Sequence, residues 1–218
     1  MSTIATYTDL QNTVVEFLAR DQDATLIARI PTFIQMCEAK LNRTLFVRQM
    51  EARATTLTTF GVTDCEYIAL PADFQSMRRV RLTSASQRPT LDFMSAVQLD
   101  QYRSQQGDVA DQPLFYTMFG SEIELAPTPD GAYTVEIVYR QNIPPLATNG
   151  TNWLLTLAPD LYLYGALLES APYIKKDERL ETWGTLYGAA LADLNKLEST
   201  STFNAGPVQV RPEGFGVF

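Results

Sequence analysis

Apolar residues with helical spacing open the chain. An amphipathic helix is predicted over residues 8–20, with Thr8 as its N-cap. Its apolar face is formed by Leu10, Val14, Phe17 and Leu18. A second stretch over residues 23–45 contains Pro31, so we expect a turn near Arg29 and a new helix with Pro31 in its first turn.

The helix that follows Pro31 has a clear apolar stripe. The stripe contains Phe33, Ile34, Cys37, Leu41 and Leu45, and the opposite side carries Gln35, Glu38, Lys40 and Asn42. We interpret Cys37 as a small buried hydrophobic residue, because no neighbour in the stripe would lower its pKa.

Between residues 49 and 139 the hydrophobic period changes to two, which is typical of strands. Strands are predicted at 52–58, 66–70, 77–82, 114–119, 123–125 and 133–139, and one helix capped by Ser95 interrupts them. Turn residues separate the last three strands, which predicts an antiparallel meander. We interpret Arg78, Arg79 and Arg81 as solvated arginines on the strand at 77–82.

Helical patterning returns after residue 150. The helix over 159–171 is apolar on nearly every side and must be covered all round, and Pro172 is expected to end it. A longer helix is predicted from Asp177 to about Glu198. On it Gly184 and Gly188 either let another backbone approach or lie on a solvated face.

The last twenty residues combine Gly and Pro with the apolar side chains of Val208, Val210, Phe215 and Phe218. Gly and Pro exclude a helix, and a free tail would not need these side chains. The pattern is typical of an extended arm that docks on another chain, with a frayed terminus as the alternative.

These patterns predict an α+β fold. A helical bundle is formed by residues 1–48 and 150–199, with a β-rich antiparallel insert over 49–149 and an extended C-terminal arm over 200–218. The 218 residues are 45% hydrophobic and 19% charged, as in globular proteins. Neither a signal peptide nor an apolar run of about 18 residues is present, so we expect a soluble protein without a membrane anchor.

Charge and composition exclude several classes of function. The net charge of −8 argues against tight nucleic-acid binding. No histidine is present, which removes Ser-His-Asp and Cys-His nucleophile systems and HExxH zinc proteases. With no CxxC pair and no phosphate-binding loop, we expect no metal, no cofactor and no catalytic residue.

Two carboxylate pairs are candidates for a glycosidase. Glu122 with Glu124 and Glu178 with Glu181 each place both acids on one face of an element, and we interpret both pairs as solvated faces. The 10 tyrosines and 11 phenylalanines suit interfaces as well as cores. Assembly is therefore favoured over chemistry.

Several segments, in order, resemble the head-to-tail adaptor (connector) proteins of tailed bacteriophages. They cover most of the chain and comprise IPTFIQMCEAKLNR at 30–43, LPADF at 70–74, VEIVYRQNIPPL at 135–146, WL at 153–154, PDLYLYGAL at 159–167 and the segment from Asp177 to Trp183.

The resemblance implies a ring, usually dodecameric, beneath the portal protein at the capsid vertex. The β-rich insert would face a downstream tail or nozzle protein, the arm would reach the portal, and DNA would pass through the channel without specific binding. Such a protein belongs to the virion neck, between capsid and tail, and is assembled in the host cytoplasm. An acidic surface suits a channel in which DNA slides.

Within such a ring, two sets of residues are expected to make contacts. The apolar helix and its successor supply the predicted subunit interface, Tyr162, Tyr164, Trp183 and Tyr187. The arm supplies the predicted portal contacts, Val208, Val210, Phe215 and Phe218. The alternatives are a muramidase-like tail enzyme and a virion carbohydrate-binding module with exposed aromatic residues on the strands over 114–139.

Overall fold

The computed structural model describes residues 3–59, 61, 65–84, 89–107, 109–174 and 178–202. In chain order the helices are α1 (Tyr7–Leu18), α2 (Ala24–Ile27), α3 (Ile30–Thr44), α4 (Ala96–Gln106), α5 (Leu146–Asn149), α6 (Trp153–Leu157), α7 (Pro159–Ile174) and α8 (Leu180–Thr202). The strands are β1 (Glu51–Leu57), β2 (Tyr67–Ala69), β3 (Phe74–Leu82), β4 (Asp92–Phe93), β5 (Phe115–Phe119), β6 (Glu122–Ala126) and β7 (Thr134–Gln141).

Apart from α4, which lies between β4 and β5, the helices and the strands occupy separate parts of the chain, which confirms the α+β class. Two compact units result: a helical unit made of Met1–Val47 with Ile143–Phe218, and a β unit made of Arg48–Asn142. Each unit has its own apolar interior.

Helix α1 begins two residues earlier than the sequence pattern indicates. Its N-cap is Thr6, not Thr8: the Asp9 backbone N–H donates to Thr6 Oγ1 at 3.2 Å, and Asp9 Oδ2 accepts from the Thr6 backbone N–H at 2.9 Å. This reciprocal capping box satisfies donors that Thr8 could not reach. Phe17, expected on the apolar face, is 41% exposed.

The turn near Arg29 is confirmed. Arg29 is the N-cap residue of α3, and Pro31 lies in the first turn, where its missing N–H costs no helical hydrogen bond. Cys37 is fully buried in the apolar stripe, as expected, and burial raises the pKa of its thiol to about 12.

Helix α7 is the centre of the helical unit. It packs against α1, α3, α6 and α8, and it is buried on several sides, as its apolar sequence requires. Pro172 does not end it: the helix continues to Ile174. A proline so close to the end removes only one late hydrogen bond, and the Tyr173 ring, 5.9 Å from that of Phe33, packs the last turn against α3.

Helix α8 begins at Leu180 and ends at Thr202, so it starts later and ends later than predicted. Asp177, the predicted first residue, lies outside the described residues. The Trp183 backbone N–H donates to the Arg179 carbonyl at 2.9 Å, so the first turn is closed from Arg179 onward.

The β unit contains two sheets. The first has the order β1-β7-β3 and is antiparallel; the second has the order β2-β6-β5-β4, in which only the β4–β5 pair is parallel. The predicted meander is therefore wrong. Strands β5 and β6 form a hairpin, but the segment after Ala126 carries the chain across to the other sheet, where β7 pairs with β1 and β3.

One apolar cluster joins the two sheets. It contains Val80, Leu82, Val135, Ile137 and Tyr139 from the first sheet, Ile68, Tyr116, Ile123 and Leu125 from the second, and Leu91. Because side chains alternate along a strand, the remaining residues of both sheets point outward on opposite sides of the β unit. These two outer faces carry most of its charged side chains.

Candidate interaction surfaces

The outer face of the first sheet is built around a carboxylate. Glu136, on the central strand β7, is only 2% exposed because arginine side chains cover it. Its oxygens lie 3.1 Å from Arg53 Nη1, 3.7 Å from Arg79 Nη2 and 2.5 Å from Arg81 Nε. The register explains this arrangement, because Arg81 lies opposite Glu136 in the ladder. The next outward residue of β7 is Val138, and Arg53 and Arg79 lie opposite it on the two neighbouring strands.

These contacts favour the charged forms of Glu136 and Arg81. The hydrogen bond from Arg81, aided by the positive charges of Arg81, Arg53 and Arg79, lowers the pKa of Glu136 below its usual value. The same hydrogen bond raises the pKa of Arg81. One carboxylate cannot balance three guanidinium groups, so this region keeps a positive excess.

A fourth ion pair extends the same face. Arg78 Nε lies 3.6 Å from Glu51 Oε1. We call this surface the arginine face: Arg53, Arg78, Arg79 and Arg81 with Glu51 and Glu136. The strand predicted at 77–82 is confirmed, but its arginines are not simply solvated, because Arg79 and Arg81 bind a buried carboxylate on the neighbouring strand.

The outer side of the second sheet is acidic. Helix α4 packs there, and Arg103 Nη1 lies 2.6 Å from Glu124 Oε1, with Nη2 donating to the Leu125 carbonyl at 3.1 Å. Burial raises the pKa of Glu124, the Arg103 charge opposes that shift, and Asp100 and Glu66 add to it. We call this surface the acidic face: Glu66, Asp100 and Glu122 with the Glu124–Arg103 pair.

The two candidate carboxylate pairs behave differently. Glu178 and Glu181 are exposed, as expected of a solvated face. Glu122 is exposed as well, but Glu124 is buried beneath Arg103, so the solvated interpretation is wrong for that residue. A salt-bridged carboxylate with an exposed neighbour does not form the facing pair that a glycosidase needs.

A sugar-binding surface would require exposed aromatic side chains on strands β5 to β7. Tyr116 and Tyr139 are buried, and Phe115 packs against Tyr102 of α4 at 5.1 Å between ring centroids. Phe119 is exposed, and it lies opposite Glu122 on the acidic face. Among the described residues of β5 to β7, Phe119 is the one exposed ring, and one ring on these strands does not make a stacking platform for a sugar.

The helical unit also contains a buried carboxylate, which the sequence pattern placed on the polar side of α3. Glu38 Oε1 accepts from the Leu146 backbone N–H at 2.8 Å, and its side chain is hydrogen-bonded to Tyr162. Asn152 Nδ2 donates to Tyr162 Oη at 2.8 Å, which ties α3, α7 and the segment before α6 into one network. Burial raises the pKa of Glu38.

A cleft of about 310 Å³ lies beside Glu38. Its described lining includes Tyr7, Ile34, Gln35 and Thr148, and Glu38 supplies the only carboxyl group among the lining residues. Glu38 is already held by its internal partners. The described lining of the cleft also lacks the second acid that hydrolysis of a glycoside requires.

The predicted subunit-interface residues lie in the helical unit. Within one chain Tyr162 is 0%, Trp183 5% and Tyr187 8% exposed, whereas Tyr164 is half-buried. Internal packing therefore accounts for the apolar character that suggested an interface. Tyr164 has the most surface left to contact another copy.

Gly165 allows α3 and α7 to approach closely. A Cβ at this position would collide with Cys37 Sγ and come within 3.2 Å of the Tyr187 ring. Lys40 Nζ lies 5.2 Å from the centroid of that ring and 3.3 Å from Glu169 Oε1. At Gly184 and Gly188, by contrast, a Cβ would meet nothing within 4 Å in this chain.

The predicted portal contacts of the arm, Val208, Val210, Phe215 and Phe218, lie outside the described residues. Where the chain is described, no group of three or more His, Cys, Asp or Glu side chains is arranged to hold a metal ion. Over those same ranges, no helix combines the length and apolar character that crossing a membrane requires.

The comparison with protein families identifies the class of protein. A family model matches the chain over residues 5–211, which includes both the helical unit and the β unit, and the family consists of phage adaptor proteins. The chain therefore belongs to the SU10 adaptor protein family. The resemblance to head-to-tail adaptors is confirmed, and a search of curated proteins finds no match.

Family membership supports a structural role in contact with other phage neck or tail proteins. The features that sequence reasoning missed are Glu38, Glu136 and Gly165. For Glu136 a signal was present: a single acid among apolar residues on one strand, with Arg53 on a second strand and the alternating Arg79 and Arg81 on a third. No local signal marks Glu38 or Gly165, because their partners are distant in sequence.

Proposed function

We propose that this chain is a head-to-tail adaptor that forms a ring between the portal and the tail of the virion, leaving a channel through which DNA passes. The observation that carries the proposal is the family match over residues 5–211, which spans both units rather than one motif. The ring would be a dodecamer, assembled on the portal in the host cytoplasm.

The architecture supports this role in three respects. A helical bundle centred on α7 would form the body of each subunit, and the β unit would face the next tail component. The net charge of −8 favours passage of DNA over binding to the channel wall. Tyr164 is the predicted interface residue with the most accessible surface for a neighbouring copy.

The C-terminal arm would supply the contact with the portal. Residues after Thr202 carry Val208, Val210, Phe215 and Phe218 among glycines and prolines. Each such side chain contributes about 1.5–3 kcal/mol when fully buried, before the cost of ordering the segment. An arm of this composition would bind in an extended form in a groove of the portal.

The test is mass photometry of the full chain mixed with purified portal rings of the same virus. Added mass in steps of one ring of adaptor copies supports the proposal, and an unchanged portal mass at micromolar adaptor contradicts it. A chain truncated after Thr202 should lose loading but keep its melting temperature. Gln209→Ala with Glu213→Ala is the matched control within the arm, and it should load normally.

A further inference from the structure

The β unit has two outer faces of opposite charge. The arginine face carries Arg53, Arg78, Arg79 and Arg81 against Glu51 and Glu136. On the other side of the apolar cluster, the acidic face carries Glu66, Asp100, Glu122 and Glu124 against Arg103. Since the cluster lies between the sheets, the two faces point away from each other and cannot neutralise each other within one unit.

We propose that the arginine face of one copy docks on the acidic face of the β unit of the next copy, so that the β units form a charge-matched head-to-tail contact. The proposal rests on the ring proposed above, and it names the surfaces that join neighbouring β units. A contact between two different faces of the same chain is heterologous, and repetition of such a contact closes a ring when the rotation between copies permits.

The composition of the acidic face favours a protein partner. Tyr67 lies opposite Glu124 and Phe119 opposite Glu122 in the ladder, and both aromatic side chains are exposed, at 39% and 48%. Tyrosine and phenylalanine are enriched in the surfaces that proteins bury on association, and charged groups lie at the rim of such surfaces.

The arginine face fits the acidic face of another copy better than it fits DNA. Arg53, Arg79 and Arg81 are already drawn together on Glu136, and Arg78 is paired with Glu51, so the positive excess is modest. A chain of net charge −8 repels a polyphosphate as a whole. Every copy, in contrast, provides one complementary acidic face for each arginine face, which gives charge matching at each contact.

Charge reversal tests the contact by complementation. Arg79→Glu changes the arginine face at its longest contact with Glu136 and leaves Arg53 and Arg81 in place. Glu122→Arg changes an exposed acid of the other face. Arg79→Glu leaves the arginine face with three positive and three negative side chains, and Glu122→Arg leaves the acidic face with three acids and two arginines. Either variant alone removes attraction at every contact, so self-association in the full chain should weaken about tenfold or more.

In an equimolar mixture, the altered arginine face of one variant can pair with the altered acidic face of the other. The two unaltered faces can then pair with each other. Sedimentation at low ionic strength should show association restored in the mixture, and added salt should weaken it. Arg43→Glu and Glu181→Arg are the matched controls, because they make the same charge changes at exposed sites of the helical unit. Each control should associate as the unaltered chain does, and circular dichroism should show that all variants are folded.

The outcomes separate this inference from the adaptor function. A mixture that sediments as monomers where the unaltered chain associates overturns the charge-matched contact. An unaltered chain that sediments as a monomer at the same concentration overturns it as well, whether or not that chain loads on portal rings. Restored association in the mixture, without portal loading by the unaltered chain, supports the contact and contradicts the adaptor proposal. Retardation of duplex DNA by the unaltered chain that is lost in Arg79→Glu would assign the arginine face to nucleic acid and overturn the inference.

Discussion

The helical unit and the β unit use buried carboxylates in opposite ways. In the helical unit Glu38 is held by the Leu146 N–H and by Tyr162, so its partners are neutral and internal. In the β unit Glu136 is held by arginines on an outer face. The first arrangement ties helices together, and the second gathers charged side chains on an outer face.

The units also differ in what limits their packing. The core of the helical unit depends on the close approach of α3 to α7 at Gly165. In the β unit the charged residues lie on the outer faces, where a substitution leaves the apolar cluster in place. We therefore expect a change in the helical core to alter stability most, and a change on the β faces to alter association most.

The largest effect on stability is expected from Gly165→Ala. The added methyl group would collide with Cys37 Sγ, and overpacking of this kind costs about 1–3 kcal/mol. Chemical denaturation would measure the loss. Cys37→Ala in the same chain should recover part of the lost stability, because it removes the atom that the methyl group meets. The controls are Gly184→Ala and Gly188→Ala, where a Cβ meets nothing within 4 Å. Each control should stabilise the chain by about 0.5–1 kcal/mol, because alanine favours a helix over glycine. An unchanged Gly165→Ala midpoint would contradict the close approach.

A smaller effect is expected from Arg103→Ala in the β unit. It leaves the buried Glu124 carboxylate without its 2.6 Å partner, which should cost about 2 kcal/mol. In a Glu124→Gln background the same substitution should cost less, as a double-mutant cycle would show. Arg78→Ala is the control: its partner Glu51 is exposed, so the loss should lie within about 1 kcal/mol. Equal losses at both arginines would contradict the assigned difference in burial.

Helix caps provide a matched pair of still smaller effects, one in each unit. Thr6→Ala removes the α1 cap and Ser95→Ala the α4 cap, and each should cost about 1 kcal/mol in thermal unfolding. Thr8→Ala, at an exposed site within α1, should be neutral or slightly stabilising. If Thr8→Ala costs more than Thr6→Ala, the assignment of the N-cap is wrong.

The response to acid should distinguish the two carboxylates. The folded pKa of Glu136 is lowered, so its stabilising contribution is present above the unfolded value of about 4.3 and is lost as pH falls through the lower folded pKa. The folded pKa of Glu38 is raised, so stability gains as pH falls from that raised value toward about 4.3. Chemical denaturation should be measured at pH values above and below about 4.3. Glu136→Gln should remove a rise of stability with increasing pH, whereas Glu38→Gln should remove a fall of stability with increasing pH. Slopes of the same sign would contradict the assignment.

Local patterns in the sequence were sufficient for most elements. The period of two predicted the strands from β1 to β7 other than the two-residue β4, and the turn at Arg29 followed from Pro31. The sheet to which β7 belongs could not be predicted, because that choice depends on pairing with residues more than 50 positions earlier. For the same reason the burial of Glu38 by Leu146, and the approach of Cys37 to Gly165, left no local trace.

The candidate surfaces depend on tertiary information that the sequence pattern does not carry. Aromatic content pointed to Tyr162, Trp183 and Tyr187, which one chain already covers. Composition alone does not distinguish an interior position from an interface, since both favour the same side chains. The charged faces of the β unit become visible only when the strands are assigned to their sheets.

The position of β7 has a consequence for the order in which the protein folds. Strands β1 and β3 pair with β7 and not with each other, so neither has its ladder partner until residues 134–141 have been synthesised. The hairpin of β5 and β6, in contrast, is closed by a turn at Gly120–Ser121 and can form locally. We therefore expect the second sheet to gain structure early on the ribosome, while the first waits with open edges that invite aggregation until the last strand inserts between them.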